Sequence, residues 1–323
     1  MIHSMHALVV ESLGATPTWG VVDRPEPGAG QVRIKVKAAA LNFADTLMID
    51  GTYQETPPCP FVPGMEVCGL VDAVGEESGR FRTGERIASF CGHGGLAEFV
   101  VVSEDRCFPV PDTMDDITAA AFPIAYGTSH LALTRRARLA AGETLVVLGA
   151  AGGVGLTAVE IGKALGARVV AVARGEAKRE AALRAGADVA IDADTPDLRG
   201  ALKTEGRIDV VYDPVGGAAG EAALRALAPE GRYIIIGFAS GDLPSLRPNH
   251  LLVKNVDVIG FYWGGYRAFA PGVLTDSLAQ LTRWHSEGRI RPHTSQVLPM
   301  AQANDGLDLL RRREATGKVV LTP

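Results

Sequence analysis

The chain has 323 residues, 47% of them hydrophobic, with 32 basic against 37 acidic side chains and a formal net charge of −5. That length exceeds what a single hydrophobic core usually organises, so two domains are expected. Mild acidity without a basic run argues against a nucleic-acid groove, and no stretch of about 18 apolar residues offers a membrane span. No signal-peptide pattern opens the chain, and Cys59, Cys68, Cys91 and Cys107 lack paired spacing, which suits a reducing compartment and predicts a cytoplasmic protein. Residues 1–4, ahead of a second methionine at Met5, read as a candidate foreign leader.

In chain order, the first 120 or so residues read as strands and turns. Runs at 7–11, 31–39, 67–74, 86–90 and 96–102 are β-branched or alternating, and Gly/Pro clusters such as Pro25-Glu26-Pro27-Gly28 and Pro57-Pro58-Cys59-Pro60 separate them. From Ala119 the rhythm changes. Buried-type strands at 145–148, 169–173, 189–192, 210–213, 233–236 and 257–262 alternate with helical segments, the pattern of a doubly wound parallel sheet. An amphipathic helix at 273–287 and a last strand at 318–321 are too little for a third domain and are expected to complete the first. The predicted division is residues 1–122 with 266–323 as a β-rich domain, and 123–265 as the α/β domain.

The most informative run is Thr144 to Gly155, an apolar strand joined to a helix through glycines. Gly152 lets backbone approach a phosphate, Gly155 lets the helix lie close on its strand, and the helix N-terminus offers unpaired N–H groups. Ala150 stands where the fingerprint has its first glycine. The turn Ala151-Gly152-Gly153-Val154 is the expected dinucleotide contact, and a glycine turn serving only helix packing is the alternative. About 20 residues on, where an acidic side chain would bind a free ribose 2′-hydroxyl, the second strand ends in Arg174, with Lys178 one turn later. Two cations there favour a 2′-phosphate and hence NADPH, with a solvated surface pair as the alternative. Glu176 fits the first turn of the next helix.

The motifs Asn42-Phe43-Ala44-Asp45, Gly51-Thr52-Tyr53, Pro63-Gly64-Met65-Glu66, Gly94-Gly95-Leu96-Ala97-Glu98, Ala150 to Gly155, Tyr212 to Gly217 and Thr316-Gly317-Lys318-Val319-Val320 follow one another in an order and spacing that resembles the zinc-free quinone oxidoreductases. That group is similar to zeta-crystallin and lies within the medium-chain dehydrogenase/reductase superfamily; the resemblance covers nearly the whole chain. It implies a GroES-like catalytic domain plus a Rossmann domain, NADPH as cofactor, and a homodimer formed by pairing sheet edges, with 256–262 the candidate strand. It further implies cofactor contacts at Thr128, at Gly237-Phe238-Ala239-Ser240 (with Gly237, Phe238 and Ser240 the expected contacts), at Phe261 and Tyr262, at Asn42 and at Lys318, although a surface lysine is an equal reading of Lys318. The family's phosphate contact after the third strand falls near Asp192 and Ala193, neither of which helps a phosphate.

Zinc-dependent relatives carry a cysteine near Asn42 and a histidine at Met65, and the four-cysteine structural lobe is missing, so no metal is expected. A conjugated acceptor spreads incoming charge over its own π-system and needs no Lewis acid, which points to a quinone or α,β-unsaturated carbonyl substrate. Neutral donors at Asn42 and Tyr53 are the catalytic candidates, Tyr53 first because a tyrosine in a matching Gly-x-Tyr donates a proton in enoyl reductases of the superfamily. Asn42 and Asp45 also fit a helix N-cap with its acidic partner, and Gly51 a helix terminator. The alternatives are an enoyl-thioester reductase, a zinc-type alcohol dehydrogenase, and a non-catalytic nucleotide-binding or structural protein.

Overall fold

A computed structural model describes residues 4–323; residues 1–3, and with them most of the candidate leader, lie outside the described part. The strands are β1 (Ser4–Val9), β2 (Thr18–Asp23), β3 (Gln31–Leu41), β4 (Glu66–Val74), β5 (Arg86–Phe90), β6 (Phe99–Ser103), β7 (Cys107–Pro109), β8 (Thr144–Leu148), β9 (Arg168–Ala173), β10 (Val189–Asp192), β11 (Val210–Asp213), β12 (Arg232–Ile235), β13 (Asp257–Gly260), β14 (Thr294–Pro299) and β15 (Lys318–Thr322). The α-helices are α1 (Phe43–Ile49), α2 (Asp116–Ala120), α3 (Pro123–Leu131), α4 (Gly153–Ala164), α5 (Glu176–Arg184), α6 (Leu198–Thr204), α7 (Gly217–Ala226), α8 (Pro248–Lys254), α9 (Tyr266–Phe269), α10 (Pro271–Ser286) and α11 (Ala303–Arg311).

They form two units, Met1–Ile124 with Pro292–Pro323, and Ala125–Arg291. The first boundary lies close to the expected one, but the chain returns to the β-rich unit at 292 and not at 266. The helix expected to join that unit is α10, and it belongs to the α/β unit. Its buried stripe of Leu274, Leu278, Leu281 and Trp284 explains why. Trp284 meets the His130 ring of α3 edge-on at 5.3 Å, and His130 Nδ1 and Ser277 Oγ are 2.8 Å apart.

In the β-rich unit the strand order is β14-β15-β3-β4-β5-β7, with β6 also pairing β3, while β1 and β2 form a separate antiparallel pair. The eleven-residue β3 is the spine, and antiparallel register fixes what gathers at its end. Val319 of β15 lies opposite Leu41, which sets Lys318 abreast of Asn42, and Glu66 at the start of β4 lies opposite Ala40. Three residues distant in sequence thereby meet at one corner of a sheet.

The α/β unit is a six-stranded sheet, β10-β9-β8-β11-β12-β13, with every pairing parallel. The fully buried β8 is the point where strand order reverses, because its successors fill one flank and then the other. Val146, Leu148, Val170, Val172, Val211 and Tyr233 form a core on which α6 and α7 pack through Leu198, Leu202, Ala223 and Leu224. Apolar burial of this kind contributes roughly 1.5–3 kcal/mol per large side chain.

Candidate functional site

Parallel strands end on the same side of a sheet, so the turns after β8, β9, β11, β12 and β13 share the carboxyl edge of the α/β unit. Ligands of doubly wound folds collect at this edge, beside the strand where the order reverses. The turn after β8 is built by glycines with distinct tasks. Gly149 adopts φ +58°, supplying the left-handed residue that Ala150, wholly buried, does not. A Cβ on Gly155 would lie 2.1 Å from the Gly149 carbonyl oxygen, so only glycine lets α4 sit this close to its strand. Gly152 differs, because a Cβ there would meet nothing nearer than that same oxygen at 3.4 Å. Protein packing therefore does not require glycine at 152, and the space a methyl group would fill lies before the start of α4. Gly152 is the N-cap and supplies no side-chain cap, so the first N–H groups of α4 await an external acceptor.

Other expected cofactor residues stand on the same edge. Arg174 follows β9, exposed, and its Nε lies 3.0 Å from Asp194 Oδ1. Lys178 is half-buried in the first turn of α5, after Gly175 at φ +79°. Arg179, which the sequence reading passed over, has its Nε 3.6 Å from Asp192 Oδ2. The Ala173↔Asp192 register brings these groups together and made Arg179 findable, since acidic residues closing β10 must face whatever follows β9. Gly237, Phe238 and Ser240 follow β12, Phe238 being 41% exposed; the Ser240 backbone N–H donates to the Val215 carbonyl at 2.9 Å, and its Oγ engages Asp242. Phe261, buried, and Tyr262, partly exposed, follow β13. Thr128 is buried in α3, next to Ser129, whose hydroxyl lies 2.7 Å from Thr157 and 2.9 Å from the Tyr212 hydroxyl. Asp213 shapes the neighbouring turn by accepting the Val215 and Gly216 N–H groups and the Tyr233 hydroxyl.

In the β-rich unit the candidates converge on a buried polar cluster. Lys318 Nζ donates to the Leu41 carbonyl at 2.7 Å, to Asn42 Oδ1 at 2.7 Å and to Glu66 Oε1 at 2.8 Å. Three donors meet three acceptors within the β-rich unit and the side chain is only 7% exposed, which corrects the alternative reading of Lys318 as a surface lysine. Asn42 Nδ2 donates to Glu66 Oε1 at 3.0 Å and reaches the Ala40 carbonyl at 3.4 Å, and Glu66 Oε2 accepts the Ile124 N–H at 2.9 Å. The Asn42 amide is thus hydrogen-bonded within its own unit, at the N-cap of α1. Asp45 closes on the Asn42 backbone N–H at 2.8 Å and on Gly64 N–H at 3.1 Å, the acidic N-cap partner its spacing implied. Burial pushes the Asp45 carboxyl up to about 7, against the opposing pull of those two N–H groups and of Lys318.

Tyr53 stands half-buried in the loop after α1, its backbone N–H on the Leu47 carbonyl at 3.2 Å and its own carbonyl accepting from Thr56 Oγ1 at 2.8 Å. Gly51 ends α1 at φ +74° as anticipated. Met65 is buried, Cys91 directs its thiol to the Gly64 carbonyl at 3.3 Å, and burial raises that thiol well above its ordinary range. Among the described residues no group of three or more His, Cys, Asp or Glu is placed to hold a metal ion.

Residues 28–112 match the model of the alcohol dehydrogenase GroES-like domain, and residues 153–279 that of the zinc-binding dehydrogenase. Quinone oxidoreductase-like protein 2 of Bos taurus is 37% identical over 296 residues, covering 90% of this chain and 85% of that protein. Among solved structures, the quinone oxidoreductase of Thermus thermophilus, determined alone and with NADPH, superposes with a TM-score of 0.87 at 34% identity over 99% of this chain and 100% of that one. A mycobacterial protein solved with NADPH superposes with a TM-score of 0.91 at 30% identity, covering 99% of this chain and 100% of that one.

Proposed function

Because the chain belongs to the quinone oxidoreductase branch of the medium-chain dehydrogenase/reductase superfamily, we propose that it is an NADPH-dependent reductase of quinones or α,β-unsaturated carbonyl compounds that works without zinc. One observation carries this reading. The glycine turn at the switch point leaves room at Gly152 before an uncapped helix, and the cations Arg174 and Arg179 follow the next strand. Relatives solved with NADPH support the choice of nucleotide.

When bound, NADPH supplies the hydride. The first N–H groups of α4 would hold its pyrophosphate, and Arg174, Lys178 and Arg179 would neutralise the 2′-phosphate, with Arg174 giving up Asp194 for it. Tyr53 donates a hydrogen bond to the acceptor oxygen as charge develops there. Its place is set by a relay within the β-rich unit, in which Lys318 and Glu66 fix Asn42, Asn42 opens α1, and the Leu47 carbonyl of α1 holds the Tyr53 backbone. Buried Met65, standing where zinc-dependent relatives carry a histidine ligand, supports a reaction that needs no ion.

We further propose a cytoplasmic homodimer joined at β13. This strand is the sheet's edge. Light scattering tests the dimer. The reaction is tested by NADPH oxidation over a panel of quinones and enones; nucleotide binding without turnover on every acceptor would refute it.

A further inference from the structure

Away from the carboxyl edge the α/β unit carries an open cleft of about 110 Å³, lined by Arg199, Arg225, His250 and Lys254 together with the apolar Leu224, Leu251, Val253 and Val256. Its place in the fold separates it from the nucleotide edge. Helices α7 and α8 run back from the carboxyl ends of β11 and β12, so their last-turn residues Arg225 and Lys254 lie toward the amino ends of the strands. Nothing in the proposed reduction uses these residues.

The cleft carries positive charge without compensation. Among the described residues Arg199, Lys203, Arg225 and Lys254 form no ion pair with an acidic side chain. Arg199 Nε is buried with no hydrogen-bond partner. Lys254 donates to the carbonyls of Arg225 at 3.0 Å and Leu227 at 2.7 Å, which leaves its third proton unassigned by these two bonds. Burial, followed by the nearby charges of Lys203 and Arg199, holds the Lys254 ammonium below its ordinary range. Crowded like charges beside buried Leu224 destabilise the free protein, and an anion would relieve that cost. Two guanidiniums and an ammonium suit the three oxygens of a phosphate dianion better than a single carboxylate. The volume lies below the usual range for drug-sized ligands and leaves room for a short body on the leucines and no more.

We propose that this cleft binds a small organic phosphate, its dianionic head held by Arg199, Arg225 and Lys254 and its apolar body resting on Leu224 and Leu251. Phenyl phosphate is the probe, titrated calorimetrically into the intact protein alongside inorganic phosphate and phenol. Three proteins are compared: wild type, R199Q/R225Q, and R174A, which disables the phosphate corner of the proposed nucleotide site. Lys254 is kept because it caps the end of α7, and a thermal melt confirms folding. Phenyl phosphate should bind wild type and R174A alike, exceed inorganic phosphate by about tenfold for its apolar body, and weaken roughly tenfold or more in R199Q/R225Q, since charge-assisted bonds are lost. Absence of binding at millimolar concentration, equal binding to R199Q/R225Q, loss in R174A, or parity with inorganic phosphate would each overturn the proposal.

Discussion

Replacing Lys318 by methionine removes the ammonium from a cluster in which every partner is buried, Lys318 and Glu66 having side chains only 7% and 0% exposed. The Glu66 carboxylate would keep Asn42 Nδ2 and the Ile124 N–H and lose its countercharge, while the Leu41 carbonyl and Asn42 Oδ1 lose a donor each. Breaking one side of a buried pair costs about 3–5 kcal/mol, much of it the penalty of the stranded charge. At a urea dependence of about 1.5–2 kcal/mol per M, that lowers the midpoint of the β-rich unit by roughly 1.5–3 M. Two units need not unfold together, so the readout is hydrogen exchange of β3, β4 and β15 peptides along the titration. E66Q alone strands the lysine instead. The double variant K318M/E66Q carries neither charge of the pair and should recover part of the summed loss, a coupling of about 1–3 kcal/mol. Single losses below about 1 kcal/mol, or strict additivity, would refute the view that this pair is the cluster's electrostatic centre.

The Asp45 carboxyl keeps its proton to about pH 7 in the folded chain, against about 3.8 when free, so this group's contribution to stability is full below about pH 4 and is lost as pH rises to about 7. Local exchange in β3 and α1 should show that decline, and D45N should flatten it; an unchanged slope would contradict the assignment. R174A/K178A should weaken NADPH at least tenfold while NADH changes by less than about threefold, measured by nucleotide fluorescence; equal losses would place the 2′-phosphate elsewhere. D194N frees Arg174 from an exposed pair worth under about 1 kcal/mol, so NADPH should tighten by no more than about fivefold with NADH unmoved. Y53F should depress turnover on enones by about 10²-fold while sparing NADPH affinity, and unchanged turnover would leave Tyr53 a packing residue.

Much of the architecture is legible in local pattern. Strands β8 to β13 are short apolar runs punctuated by glycine, and their alternation with helices dictates a parallel sheet whose strand ends define the site. What escaped has physical reasons. Strands β2 and β14 have no buried residue and β7 is only three residues long, so none carries a strong hydrophobic signature. Helix α10 has a clear amphipathic stripe, but a stripe does not say which core it faces; the His130 and Trp284 contact decides that. The acidic N-cap partner Asp45 follows from spacing of three residues. The Lys318, Glu66 and Asn42 cluster depends on strand register between segments 252 and 276 residues apart, and no local pattern encodes it. The same holds for Asp194 beside Arg174.

Metal-free hydride transfer from NADPH to a conjugated acceptor is the proposed reaction. Its most direct test is to incubate chelator-treated protein, shown by metal analysis to lack zinc, with NADPH deuterated at the transferable position and a quinone or enone, then read the isotope in the product. Turnover is expected, with deuterium in the reduced enone or stoichiometric consumption of the labelled cofactor with a quinone. Activity that vanishes on chelation and returns with zinc would contradict it.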